Sequence, residues 1–309
     1  MTSLDIAEAT PADAPGVAEV IHRSFASRPP VDPPADALAE TTQSVADALE
    51  SSGGLVATLD GDVVGALIFD HSRPGLIGLR RVSVDPDRQG HGVASAMVGM
   101  AEEVARERGA DGLWLLVREE LPETVRFWLR RGYFRSGPEG VHTVVQKTLP
   151  AHVAVPSAEA MSEFAGQVGA LLTAGDLLIL QGELGAGKTT FAQGLGEALG
   201  VRGPITSPTF VLSRIHPSLV NGPDLVHVDA YRLGSASEVD DLDLDATADR
   251  SVTVVEWGAG VAEQLNDDWL HIAISPGATG PDSRHVLVVP HGARWAGVGL
   301  RSALENGVG

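Results

Sequence analysis

The stretch Asp176-Leu177-Leu178-Ile179-Leu180-Gln181-Gly182-Glu183-Leu184-Gly185-Ala186-Gly187-Lys188-Thr189-Thr190 decides how the second half of this chain is read. Residues 176–181 form an apolar run of strand length, and the segment beyond the loop reads as a helix to residue 199. Between them stands G-x-x-x-x-G-K-[ST], in the strand–loop–helix context that gives the pattern meaning. In such a loop the glycines let main-chain N–H groups wrap a β-phosphate. The lysine bridges the β- and γ-phosphates, and the hydroxyl after it ligates Mg²⁺. Gly182, Glu183, Leu184, Gly185, Ala186, Gly187, Lys188, Thr189 and Thr190 are therefore the expected nucleotide-binding residues, with Lys188 catalytic and Thr189 on the metal. Of 22 basic side chains only Lys147 and Lys188 are lysine, and Lys188 alone lies beyond residue 148. Where arginine has displaced nearly every other lysine, a compact ammonium at this place fits a need that guanidinium does not meet.

A phosphate loop also requires acids near the metal and the attacking water. A parallel sheet delivers the C-terminal ends of its strands to the nucleotide, so apolar strands ending in a carboxylate are the sign to seek. Leu225-Val226-His227-Val228 ends at Asp229, and Val252-Thr253-Val254-Val255 ends at Glu256-Trp257. Either acid alone would serve equally as a helix cap or a surface group. Two at matching strand ends, downstream of such a loop, read as catalytic. The acidic run 238–245 reads instead as a solvated face, because the central Gly and terminal Glu of a calcium loop are absent.

The chain has 309 residues, a formal net charge of -19, 43% hydrophobic residues and no cysteine. That length accommodates two domains with cores of their own. The surplus of acid argues against a broad basic face for nucleic acid or anionic lipid. Disulfides, thiolate metal sites and cysteine nucleophiles are excluded outright. No signal peptide or membrane-length apolar run is present, so a cytoplasmic location with no membrane partner is expected. Leu149-Pro150-Ala151-His152-Val153-Ala154-Val155-Pro156-Ser157 reads as the junction, dividing the chain into 1–150 and 151–309, and the Gly-rich tail after about residue 290 reads as flexible.

In the first half, residues 10–25 and 36–50 read as amphipathic helices. Residues 54–59 and 63–69 read as a hairpin about Asp60-Gly61-Asp62, and 76–84 as a third strand. A helix follows to about 108, then a strand at 113–117, a helix at 122–131 and a last strand at 141–148. The order implies a mixed α/β sheet. At Val82-Ser83-Val84-Asp85-Pro86-Asp87-Arg88-Gln89-Gly90-His91-Gly92-Val93-Ala94 a strand feeds a Gly-rich turn into a helix N-terminus. That arrangement suits an anion such as phosphate, and equally a plain tight turn.

Gln89-x-x-Gly92-x-Ala94 resembles the Q/R-x-x-G-x-G/A pattern of the GNAT N-acetyltransferases, which cradles the acetyl-CoA pyrophosphate. Leu115-Leu116-Val117-Arg118 and Phe127-Trp128-Leu129-Arg130-Arg131-Gly132-Tyr133 are placed like that family's strand and following helix. The resemblance spans roughly 4–148 and is nearest the ribosomal-protein alanine acetyltransferase type. It implies an acetyl-CoA site at Gln89, Gly90, His91, Gly92, Val93 and Ala94, pantetheine along the strand of Val82 and Val84, and a protein N-terminus as acetyl acceptor. Two departures stand out: Leu121 and Trp128 occupy the places of the type's Asn and of the Tyr that protonates the departing thiolate. Indole is not a useful acid, and a core aromatic is the preferred reading of Trp128. Glu119, Glu120 and His142 are candidate displaced bases that also read as surface groups.

In the second half, Gly182 to Thr190, Thr206-Ser207-Pro208-Thr209-Phe210, His227-x-Asp229-x-Tyr231-Arg232-Leu233 and Val255-Glu256-Trp257 form an ordered set similar to TsaE. TsaE is the small ATPase of the bacterial system that makes threonylcarbamoyladenosine in tRNA. Over about 153–290 the resemblance implies a P-loop NTPase sheet with helices on both faces, binding ATP and Mg²⁺. It implies a switch-like loop carrying Thr209 near the γ-phosphate, and Trp257 beside the nucleotide, where core packing is an equal alternative. Asp229 and Glu256 serve Mg²⁺ and the hydrolytic water, with Glu256 preferred as the metal ligand and the roles exchangeable. Partners of the TsaD and TsaB type are implied, with tRNA reached only indirectly. Two readings of the whole follow: an ATPase fused to an active N-acetyltransferase, or one fused to a degenerate module that binds acetyl-CoA or a partner without turnover.

Overall fold

The computed structural model describes residues 4–207, 213–231 and 245–306. Its internal contacts divide the chain into Met1–Lys147 and Thr148–Gly309. Thr209, together with Pro208, Phe210, Arg232, Leu233 and residues 238–244, lies outside the described residues.

The first unit contains strands β1 (Leu4–Glu8), β2 (Gly54–Leu59), β3 (Asp62–Asp70), β4 (Leu76–Val84), β5 (Gly112–Val117), β6 (Phe134–Glu139) and β7 (His142–Thr148). Its helices are α1 (Ala14–Ala26), α2 (Thr42–Ser52), α3 (Val93–Glu107) and α4 (Pro122–Leu129). The strands form one sheet in the order β1-β2-β3-β4-β5-β7-β6. Neither β1 nor β6 has a sequence signal. β1 is a short edge strand, and β6 runs through Ser136-Gly137-Pro138, which reads as a turn. Alternation along β3 sorts the helices. Ala66 and Ile68 join Val17, Ile21, Val45 and Leu49 in the core beneath α1 and α2. Gly65 points the other way, where an added Cβ would stand 2.9 Å from Met97 of α3. Residues 36–50 are a short 3₁₀ turn and then α2, because Thr41 caps a new helix by accepting from the Ser44 amide at 3.0 Å.

The second unit contains β8 (Ala151–Val155), β9 (Leu177–Gln181), β10 (Ser213–His216), β11 (Asp224–Asp229), β12 (Ser251–Glu256), β13 (Trp269–Pro276) and β14 (Arg284–His291). Helices α5 (Ala158–Gly169), α6 (Lys188–Ala198), α7 (Asp245–Ala248) and α8 (Leu300–Glu305) accompany them. The sheet order is β10-β11-β12-β9-β13-β14-β8, with β11, β12, β9 and β13 parallel. Phe164, Phe191, Leu195, Leu300 and Leu304 place α5, α6 and α8 on one face, against Leu178, Leu180 and Val254. The opposite face is covered by Ala262 with Val261 and Leu265.

Two expectations change. The Pro-bracketed junction is not a bare linker, since Ala151, Val153 and Val155 alternate inward and pair antiparallel with β14. Residues 291–306 are packed against the unit and do not form a loose tail: Trp295, Leu300 and Leu304 are fully buried. The glycines of this stretch form tight turns between anchored apolar groups, Gly292, Gly297 and Gly299 all having positive φ. Among the described residues no helix is long and apolar enough to cross a membrane.

Candidate functional site

β9 ends where the phosphate loop begins. Gly182 is required there, because a Cβ would stand 2.6 Å from the Ile274 carbonyl and 2.9 Å from the Ala186 Cβ. Gly185 and Gly187 have φ of 80° and 109°, and Gly187 starts α6. Lys188 is the first residue of that helix and is buried. Its Nζ donates to the Gly182 carbonyl at 2.8 Å and the Glu183 carbonyl at 3.1 Å, and lies 4.0 Å from the centroid of the Trp257 ring. Burial lowers the proton affinity of the Lys188 ammonium, while the Glu256 and Asp229 carboxylates pull it back up. Thr189 and Thr190 are half-buried in the first turn, and Leu184 is exposed.

The two strand-end acids occupy one rung of the parallel ladder, Asp229 opposite Glu256, both buried. Asp229 Oδ1 accepts from the Tyr231 amide at 3.0 Å. Glu256 Oε1 bonds His227 Nε2 at 2.9 Å, and His227 is fully buried with Nδ1 unpartnered. His227 lies two residues before Asp229 and so shares its face. Trp257 leaves the strand in the left-handed region, φ 61°, and meets the Tyr231 ring edge-on at 5.4 Å between centroids. Lys188, Asp229, Glu256 and Trp257 are thus brought together.

Two further residues shape the site beyond those expected from the sequence. His227 stood only as a letter in a motif, although its period-two spacing from Asp229 was visible. Arg284, the first residue of β14, donates from Nε to the Ala186 carbonyl at 2.9 Å and from Nη2 to that of Gly185 at 3.3 Å. No local signal connects it to a loop nearly a hundred residues earlier.

In the first unit, β4 and β5 pair only from Leu76 to Gly78 against Gly112 to Trp114, so their later residues diverge. Val82 and Val84 lie on that open edge of β4, Val84 buried, and the Val82 carbonyl accepts from Arg28 Nη2 at 2.9 Å. Gln89, Gly90, His91 and Gly92 are exposed at the start of α3, followed by buried Val93 and half-buried Ala94. Gly90 and Gly92 have φ of 78° and 82°, and His91 Nδ1 bonds the Gln89 carbonyl at 2.9 Å. Trp128 is a core aromatic, stacked edge-on against Tyr133 at 4.9 Å. Glu119 is held by Arg135 at 2.9 Å, and hydrogen bonding to Arg118 pulls the Glu120 carboxyl down to about 2. Both are poor bases in that state.

A strand, a Gly-rich loop closing on Lys188, and two acids on adjacent strand ends define a unit of the P-loop class. Residues 155–286 match the family profile described as threonylcarbamoyl adenosine biosynthesis protein TsaE, and residues 18–133 match the acetyltransferase (GNAT) family. The TsaE protein of Streptomyces coelicolor is 57% identical over 139 residues, covering 44% of this chain and 94% of that one. That of Mycobacterium tuberculosis (strain H37Rv) is 47% identical over 127 residues, covering 39% and 76%. A solved structure similar to part of the chain is PaiA N-acetyltransferase from Thermoplasma acidophilum in complex with coenzyme A. It is 16% identical, covers 48% of this chain and 99% of that one, and has a TM-score of 0.43. The chain belongs to the TsaE family, whose part in tRNA threonylcarbamoyladenosine biosynthesis it shares, and carries a GNAT-fold domain ahead of the TsaE unit.

Proposed function

We propose that residues 151–309 hydrolyse Mg-ATP in the cytoplasm in support of the threonylcarbamoyl-transferase complex that modifies adenosine 37 of tRNA. The observation that carries this reading is the convergence of Lys188 with Asp229 and Glu256, the two acids sharing one rung of the sheet. Glycines whose added Cβ atoms would collide or need left-handed backbone leave a cradle for phosphate oxygens at Gly182, Gly185 and Gly187. Lys188 exchanges the Gly182 and Glu183 carbonyls for the β- and γ-phosphates, and the α6 N-terminus adds oriented amides. Thr189 and Glu256 would hold Mg²⁺, which supplies neutralisation of charge developing between the β- and γ-phosphates. The donor set fits that ion: Mg²⁺ takes one or two protein oxygens and completes its shell with water and phosphate. Among the described residues no cluster of three or more such ligands offers a dedicated cage. Asp229 orients the attacking water and accepts hydrogen bonds from it; the roles of Asp229 and Glu256 exchange if metal binding survives loss of Glu256.

The acid surplus supports action through proteins of the TsaD and TsaB type, with tRNA held by those partners. For residues 1–150 we infer an acetyl-CoA site at the diverging strands β4 and β5 and the turn from Gln89 to Ala94, acting on a protein N-terminus. A second reading, binding without turnover, is favoured by one feature: the place of the acid holds buried Trp128. Hydrolysis assays on Lys188→Ala test the ATPase; a variant keeping full activity overturns it. Acetyl-CoA titrated into the full chain, with Gly92→Val as control, followed by assay on ribosomal-protein N-terminal peptides, separates the two GNAT readings.

A further inference from the structure

Among the described residues Arg284 donates from its guanidinium to main-chain carbonyls alone. Nε reaches Ala186 at 2.9 Å, Nη2 reaches Gly185 at 3.3 Å, and Nη1 bonds Pro281 at 2.7 Å and Ser283 at 2.8 Å. Among the described residues it forms no ion pair, in a chain where Arg23, Arg81, Arg118, Arg135 and Arg294 all do. Among the described residues no carboxylate pairs with its charge. The position is prepared by the β13–β14 hairpin: the Gly277 amide donates to the Ser283 carbonyl at 2.8 Å, and Arg284 pairs with Pro276 at the start of β14. The same hairpin brings the Ile274 carbonyl against Gly182. Both ends of the phosphate loop thus rest on β13 and β14.

A trans peptide sets each carbonyl opposite the following N–H. Fixing the Ala186 carbonyl toward Arg284 therefore aims the Gly187 N–H away from Arg284.

We propose that Arg284 is a positioning residue for nucleotide binding. It holds the carbonyls of Gly185 and Ala186 away from the phosphates and adds a fixed positive charge behind the loop, complementing Lys188 in front of it. This deepens the nucleotide-binding reading and rests on it. The ligand affected is the polyphosphate of a nucleoside di- or triphosphate.

The test uses the full chain, with Mg-ADP titrated calorimetrically into wild type, Arg284→Gln and Arg284→Lys. Gln keeps two donors but neither charge nor fork, and should weaken ADP binding about tenfold or more, the scale of losing a charged hydrogen-bonding group. Lys keeps the charge without the fork and should recover part of that loss. The KM for ATP should rise with the Kd while kcat stays within about threefold, as expected when ground-state and transition-state binding fall together. Amide exchange in the nucleotide-free Gln variant should quicken across residues 182–190 and stay unchanged in β9 and β12. Binding of ADP by Arg284→Gln within about twofold of wild type overturns the proposal while leaving the ATPase reading standing. Equal loss of protection in the loop, β9 and β12 of both variants also overturns it, because the defect is then general unfolding. A wild-type chain that takes up no ADP fails the nucleotide-binding reading itself.

Discussion

Lys188 Nζ rests 4.0 Å from the centroid of the Trp257 ring, held there by the carbonyls of Gly182 and Glu183. Trp257 reaches this place only through a left-handed backbone, φ 61°, which costs a non-glycine residue about 1 kcal/mol or more. The ammonium proposed to bridge the phosphates lies against an indole.

Nucleotide binding should therefore be visible in Trp257. As Lys188 turns to the phosphates the cation leaves the ring, and Mg-ADP titration should change tryptophan emission in wild type. The change should vanish in Trp257→Phe, although Trp114, Trp128, Trp269 and Trp295 remain. An undiminished signal in that variant would place the response elsewhere.

Loss of His227 should harm turnover more than nucleotide affinity. Its Nε2 is the partner of Glu256 Oε1 at 2.9 Å inside the protein. His227→Phe strands a buried carboxylate, with an expected destabilisation of about 1–3 kcal/mol and freedom for Glu256 to turn. Denaturant titration and ATPase kinetics measure the two effects, and His227→Gln, which restores a donor, should recover both in part.

Removing the indole of Trp295 should destabilise the second unit although it lies beyond the last sheet strand. A fully buried Trp replaced by Ala costs about 3–5 kcal/mol in well-packed cores. A thermal transition of the second unit unchanged in Trp295→Ala would show that residues after 290 contribute nothing to its core.

Glu40 should make the first unit acid-sensitive. Burial raises its carboxyl, but the Ser44 hydroxyl at 2.5 Å and Arg81 Nε at 2.7 Å outweigh that, and the net shift is downward. A carboxyl lower in the folded state than in the unfolded chain stabilises above the unfolded value, about pH 4.3, and loses that contribution as the pH falls further. Glu40→Gln should accordingly lower the unfolding midpoint of the first unit at neutral pH. The gap to wild type should close as the pH falls below about 4.

The elements legible in the sequence were those whose signals are local. Strand, loop and helix around Lys188 follow from contiguous residues, as do the two apolar runs ending at Asp229 and Glu256. The hairpin about Asp60-Gly61 and the helix after Gly92 were equally readable. Missing from that reading were β1, β6, β8 and the hairpin of β13 and β14, which are edge or antiparallel strands defined by the partners they find. The chain after residue 290 misled for the same kind of reason: its glycines suggested freedom, whereas Trp295, Leu300 and Leu304 bury themselves beside β8 and α5.

By itself the sequence determined that a phosphate loop is present, that two acids end strands near it, and that a second α/β domain precedes it. Backbone chemistry within a few residues dictates each of these. Only the tertiary structure decided that Asp229 and Glu256 share a rung, that His227 holds Glu256, and that Arg284 holds Gly185 and Ala186. Those relationships depend on sheet register and strand order, which bring together groups from 27 to 99 positions apart that no local pattern connects.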